Sequence, residues 1–167
     1  IHLPDNPRPA LPSALELLRE QLSTSAEKLT ILAIGPLTNL GALLRESPEL
    51  AGRIERIVIM GGAFDAPGNV HAADPSNPNV VAEFNLYCDP VAADWVFRSG
   101  APITLIPLDA TQHAPITTAF YLRLLENHRT PSADFVYQAL TADYGFIASG
   151  DFDFWDPLAA AILTEPG

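Results

Sequence analysis

Apolar residues recur along this chain at two periods, and the alternation between the periods sets out its elements. Ala14, Leu15, Leu17, Leu18 and Leu22 fall at near-helical spacing, which predicts a helix over 12–22 with Ser13 as N-cap. Residues 29–34 (Leu-Thr-Ile-Leu-Ala-Ile) are a short apolar run of the kind that forms a strand buried on both faces. Gly35-Pro36 breaks it, and helical spacing returns over 39–45 with Leu40, Leu43 and Leu44 inward. A second buried strand is expected at 56–60, ended by Gly61-Gly62, and a third at 103–108, ended by Asp109. Between them lie a loop at 63–80, rich in Pro, Asn, Gly and Asp, and a helix at 89–98. Further helices are expected at 117–127 and 133–147, and a last one from Asp156-Pro157 to Leu163. Residues 1–10, with their three prolines, read as an irregular lead-in.

Strands that alternate with helices and are apolar throughout predict a single α/β domain: a mainly parallel open sheet with helices on both faces. Ligands of such sheets collect at the carboxyl ends of the strands, so the polar residues just after each strand matter most. After the first strand, Gly35-Pro36-Leu37-Thr38-Asn39 is either a tight turn capped by Thr38 or Asn39, or a break that frees backbone carbonyls. Ile34 would offer one of these, a good ligand for calcium. Gly61-Gly62 is either a plain turn or a place where a ligand approaches the backbone. Asp156 is placed to cap the last helix, and a carboxylate there also suits a hard cation. Asp109 is a weaker candidate of the same kind. His2, His71, His113 and His128 are scattered without metal-ligand spacing.

The stretch from Val81 to Pro90 is the chemical centre of the chain. If it is extended, Glu83 and Asn85 share one face and Phe84 points away into apolar packing. A carboxylate and an amide side by side suit neighbouring sugar hydroxyls. Asp89-Pro90 reads as a helix start, with Asp as N-cap and Pro at the first helical position.

Composition narrows the classes. The 167 residues are 48% hydrophobic and 17% charged, a globular balance with enough chain for a core. A net charge of −11 argues against a general nucleic-acid binder. The single Cys88 excludes an intramolecular disulfide and fits a reducing, cytoplasmic setting. No apolar run is long enough for a transmembrane helix.

Taken in order, several motifs resemble a known family. They are Leu32-Ala33-Ile34-Gly35-Pro36-Leu37-Thr38-Asn39, Ile57-Val58-Ile59-Met60-Gly61-Gly62-Ala63, Gly68-Asn69, Ala82-Glu83-Phe84-Asn85 with Asp89-Pro90, Pro107-Leu108-Asp109 and Asp156-Pro157. Together, over about 29–163, they resemble the nucleoside hydrolases of the inosine–uridine preferring type. The resemblance implies an open α/β fold, one calcium at the carboxyl edge of the sheet, and hydrolysis of the N-glycosidic bond of ribonucleosides. It places Asp156 at the family's C-terminal calcium aspartate and Ile34 where a backbone carbonyl joins the ion. Glu83 and Asn85 fall on ribose-binding positions, and the three side chains together are the expected catalytic set. A further ribose-binding asparagine is Asn69 or Asn77, which compete because an insertion, His71 to Asn79, separates Gly68-Asn69 from Glu83.

Three departures qualify the resemblance. The family's N-terminal aspartate cluster is absent, Trp155 stands where many members have a histidine, and the chain stops soon after the last matched helix. The expectation is therefore a part of a hydrolase, inactive by itself, whose whole form is a homo-oligomer acting on a small nucleoside, or else a degenerate relative. Trp155 either stacks on the base or packs beside Phe154. The alternatives are a non-catalytic nucleoside or ribose binder of the same fold and, more remotely, a phosphoacceptor domain using Asp109. The second lacks the later lysine that such domains need, since Lys28 precedes the first strand.

Overall fold

The apolar runs form the strands that their composition calls for. In the computed structural model, which describes residues 11–164, they are β1 (Leu29–Ala33), β2 (Ile54–Met60) and β3 (Ile103–Ile106). These three strands pair in parallel in the order β1-β2-β3, with Leu32 opposite Val58 and Ile59 opposite Leu105. The helices are α1 (Ala14–Thr24), α2 (Thr38–Glu46), α3 (Val70–Ala73), α4 (Phe84–Cys88), α5 (Pro90–Phe97), α6 (Leu108–Thr111), α7 (Thr118–Asn127), α8 (Pro131–Ala142), α9 (Tyr144–Ser149) and α10 (Trp155–Thr164). A 3-10 segment, Pro48–Arg53, leads into β2. Residues 1–10, including His2, lie outside the described residues. Among the described residues no helix is long and apolar enough to cross a membrane.

The period of two along β2 organises both layers. Ile57 and Ile59 face a core built with Leu22 of α1, Leu40, Leu43 and Leu44 of α2, and Ala93 and Val96 of α5. Val58 and Met60 face the other way, toward Ala159 of α10, Ile106 and Leu108. Helices thus cover both sheet faces, as the sequence predicts. Full burial of each of these four β2 side chains is worth about 1.5–3 kcal/mol relative to exposure. A third cluster, with Ile116, Tyr121, Leu140 and Ile147, joins α7, α8 and α9.

Local signals set most boundaries. Ser13 and Glu16 close a capping box on α1. Asp89 caps α5 by accepting from the Ala92 N–H at 3.0 Å, with Pro90 in the first turn. Asp89 also accepts from the Thr38 hydroxyl at 2.7 Å, which ties the turn after β1 to α5.

Several expectations are corrected. Residues 84–88 are helical rather than extended, and Phe84 is 44% exposed instead of packed in the core. β1 is only half-buried, because among the described residues it has a neighbour strand on one side alone. The third strand stops at Ile106, and Leu108 begins a helical turn. Neither Thr38 nor Asn39 caps α2. The segment expected as one helix at 133–147 is two, α8 and α9, broken at Asp143 (φ −108°, ψ 20°). The loop after β2 contains the short α3. Asp156 sits in the first turn of α10, one residue inside its start.

Candidate active site

Met60 ends β2, and the chain then turns through Gly61 and Gly62. Gly62 has φ +87°, a backbone state that strains other residues, and this conformation aims its N–H at Glu83. The Glu83 carboxylate accepts three backbone N–H bonds: Gly62 at 3.0 Å, Asn85 at 2.8 Å and Leu86 at 3.1 Å. It is therefore the N-cap of α4 and lies only 4% exposed. A buried carboxylate is costly unless satisfied, and these donors satisfy it. Asn85, two residues on, donates from Nδ2 to the Met60 carbonyl at 3.1 Å. Its Oδ1 is left as an acceptor.

Backbone pairing brings Asn69 to the same place. The Gly68 N–H donates to the Val80 carbonyl at 2.9 Å, and the Asn69 N–H to the Ala82 carbonyl at 3.1 Å. A Cβ at Gly68 would lie 2.3 Å from the Ala82 oxygen, so only glycine permits this approach. The insertion between the two segments is looped out. Asn69 Oδ1 then accepts from the Phe84 N–H at 2.7 Å, leaving its two N–H donors for the cleft. Asn77 goes elsewhere. Its Nδ2 donates to the Tyr87 hydroxyl of α4 at 2.9 Å and its Oδ1 accepts from the Asn79 N–H within the loop.

These groups line one cleft of about 980 Å³ at the carboxyl end of the sheet. Ile34, Met60, Asn69, Glu83 and Asn85 line it from the strand ends and the segments after them, with Asp156 close enough to feel the charge of Glu83, and Phe146, Asp151, Asp153 and Trp155 line it from the stretch 146–155. Burial, and then the charge of Glu83, hold the Asp156 carboxyl above the usual carboxylate range. The Trp155 ring centroid lies 5.4 Å from Phe152 and 6.1 Å from Phe146, so its aromatic neighbours are these rings and not Phe154, which meets Phe120 edge-on. Asp109 does not line the cleft. It accepts N–H bonds from Phe64 (2.9 Å), Asp65 (2.7 Å) and Ala66 (3.0 Å), and these hold its carboxyl at about 2. It clamps the start of the loop that carries Asn69.

The sequence reading missed Phe146, Asp151 and Asp153. The last two carry a signal that could have found them: in Asp151-Phe152-Asp153-Phe154-Trp155, aromatic and acidic residues alternate with a period of two. His71 bonds the Asn77 carbonyl at 2.7 Å, and His128 pairs with Asp134 at 2.9 Å. Among the described residues no three His, Cys, Asp or Glu side chains gather as a metal site.

A parallel sheet with helices on both faces and a polar cleft at its carboxyl edge defines an open α/β protein with a small-molecule site. The comparisons narrow this class. Residues 2–167 match the profile of the family described as inosine-uridine preferring nucleoside hydrolase. The chain belongs to that family. It is 44% identical over 109 residues to the pyrimidine-specific ribonucleoside hydrolase RihA of Shewanella sp. (strain ANA-3), covering 65% of this chain and 31% of that protein. The RihA of Klebsiella pneumoniae is 44% identical over 120 residues, covering 70% of this chain and 36% of that protein. The inosine-uridine preferring nucleoside hydrolase of Bacillus anthracis superposes with a TM-score of 0.81 at 33% identity, over 94% of this chain and 49% of that one. The purine-preferring ribonucleoside hydrolase of Gardnerella vaginalis gives 0.76 at 33% identity, over 99% and 52%. The chain thus spans about a third of the curated relatives' length and about half of the solved structures'.

Proposed function

We propose that this chain supplies the substrate-holding part of a calcium-dependent nucleoside hydrolase, which cleaves a ribonucleoside into free base and ribose. The observation that carries the reading is the convergence of Asn69, Glu83, Asn85, Trp155 and Asp156 on one cleft. Loss of the base leaves an oxocarbenium-like sugar with developing positive charge. Glu83 and Asp156 favour that charge. Glu83 is fixed by three N–H donors and Asn85 by the Met60 carbonyl, so the sugar meets groups that need little reorganisation. The Asn69 amide can donate to a ribose hydroxyl oxygen. The cleft is lined by four carboxylates and, among the described residues, by no Lys, Arg or His. A phosphate would meet no basic side chain among the described residues of the lining, which favours nucleosides over nucleotides.

Asp156 and the Ile34 carbonyl offer hard oxygen donors, and the charge of Glu83 beside Asp156 adds to the attraction for a cation. This chemistry fits part of a calcium shell. Calcium takes about 6–8 oxygens, so further ligands are needed. In this reading they come, with the group that takes the proton of the attacking water, from the part of the relatives' length that the chain does not match. When bound, calcium would lower the pKa of a water and grip ribose hydroxyls. Self-association and a cytoplasmic setting of the whole protein belong to the same proposal.

The test is direct. The whole protein, incubated with inosine or uridine, should release free base and ribose, lose that activity to a chelator and regain it with calcium. Binding of nucleosides without release of base would make it a nucleoside- or ribose-binding protein instead. Residues 1–167 alone should neither cleave nucleosides nor bind calcium at sub-micromolar concentration in calorimetry.

A further inference from the structure

The stretch between α9 and α10 brings to the cleft a carboxylate to which the proposed function gives no role. Asp153 pairs with Pro115 in an isolated antiparallel bridge. The Ile116 N–H donates to the Phe152 carbonyl at 2.7 Å, and the Phe154 N–H to the Ala114 carbonyl at 2.8 Å, so the backbone is pinned on both sides of Asp153. Alternation then separates the side chains. Phe152 and Phe154 pack into the third core cluster, whereas Asp151, Asp153 and Trp155 line the cleft.

Asp153 is half-buried, and among the described residues its carboxylate has neither a hydrogen-bond donor nor a cation. Burial, and then the charge of Asp151, push its carboxyl above the ordinary range. Glu83 and Asp156 line the same cleft and add negative charge. A partly desolvated carboxylate with no donor is costly, and a ligand N–H would relieve it. Its neighbours indicate which part of a ligand brings that donor. Phe146 and Trp155 line the cleft from the same stretch of chain and offer aromatic faces, while the groups suited to a sugar, Asn69, Glu83 and Asn85, come from the segments after β2.

We propose that Asp153 is a specificity-determining residue whose carboxylate accepts a hydrogen bond from an N–H group on the edge of the nucleobase. This rests on the nucleoside reading above and adds which chemical edge of the base is selected. Bases with a ring N–H or an amino group beside the glycosidic ring system are favoured. Bases with that position blocked are disfavoured.

The experiment measures kcat/KM of the whole protein on five substrates. Uridine and inosine are each set beside the N-methylated counterpart that lacks the ring N–H, 3-methyluridine and 1-methylinosine. The fifth, 4-nitrophenyl riboside, has no N–H on its leaving group. The unmodified protein should prefer at least one N–H nucleoside over its methylated partner by about ten- to hundredfold, the effect of one hydrogen bond to a charged acceptor. Asp153→Ala should abolish most of that preference and leave 4-nitrophenyl riboside nearly unchanged. Asp153→Asn, which keeps shape and one acceptor oxygen but not the charge, should fall between, and it decides alone if the alanine variant does not fold. An intact preference in the variants, or an equal fall on every substrate, overturns the role of Asp153 and leaves the nucleoside reading standing. Absence of any cleavage by the unmodified protein overturns both.

Discussion

The two groups of residues that line the cleft are built in opposite ways. On the sheet side, the protein itself already satisfies the polar groups: Glu83 holds three N–H donors, Asn85 holds the Met60 carbonyl, and Asn69 holds the Phe84 N–H. These bonds span strand ends, a left-handed glycine and a helix start, so the wall is set before any ligand arrives. In the stretch 146–155, Asp151 and Asp153 have no such partners among the described residues, and the lining is made of rings and carboxylates. A sugar presents the same hydroxyl pattern in every ribonucleoside and rewards a rigid wall. Bases differ, and under the proposed reading stacking faces with unsatisfied acceptors would select among them.

Substitutions on the sheet side should therefore have the largest effects. Asp156→Ala should lower kcat of the whole protein by about 10²–10³-fold and weaken calcium binding, because it removes a charge from where positive charge develops. Glu83→Ala should cost roughly 10²-fold in kcat/KM through lost sugar positioning. It should also cost about 1–3 kcal/mol in stability, since three N–H groups lose their acceptor. Calcium binding should stay nearly intact. Equal loss of calcium in both variants would overturn this division of roles.

A smaller effect should appear with pH. The folded-state pKa of Asp109 is depressed to about 2, so its stabilising contribution is present above the unfolded-state value and is lost as pH falls toward 2. Asp156 is raised, so its ionisation opposes folding above the unfolded-state value, and acid relieves that strain. Acidification from pH 5 toward pH 2 should speed hydrogen exchange at the Phe64, Asp65 and Ala66 amides, relative to their intrinsic rates, before the β2 amides respond. Simultaneous loss of protection in the loop and in β2 would show that Asp109 does not act as a local clamp.

The strands, α1, α5 and the layering were legible because each rests on a local pattern: unbroken apolar runs, Ser13 with Glu16, and Asp89 with Pro90. The stretch 81–90 was not, because its conformation depends on distant atoms. Glu83 is an unusual N-cap by residue type, and one of its donors, the Gly62 N–H, lies 21 positions earlier in the chain. The same applies to Asn69 and Asn77, whose places follow from pairing of 68–69 with 80–82 across an insertion. The break at Asp143 carries no proline, and Gly145 comes after it. Asp151 and Asp153 were overlooked although their alternation is local, because a five-residue pattern next to a predicted helix start is easily absorbed into it.

One measurement tests most directly the separation of sugar and base between the two groups of lining residues. kcat/KM is determined for the unmodified protein, Glu83→Ala and Trp155→Ala, on inosine or uridine and on 4-nitrophenyl riboside, whose leaving group departs without protonation. Glu83→Ala should lower both substrates by a similar factor, since both carry the same ribose. Trp155→Ala should lower the natural nucleoside by about tenfold, through lost stacking on the base, and 4-nitrophenyl riboside far less. An equal fall on both substrates for Trp155→Ala would contradict the division and leave Trp155 as a packing residue beside Phe146 and Phe152.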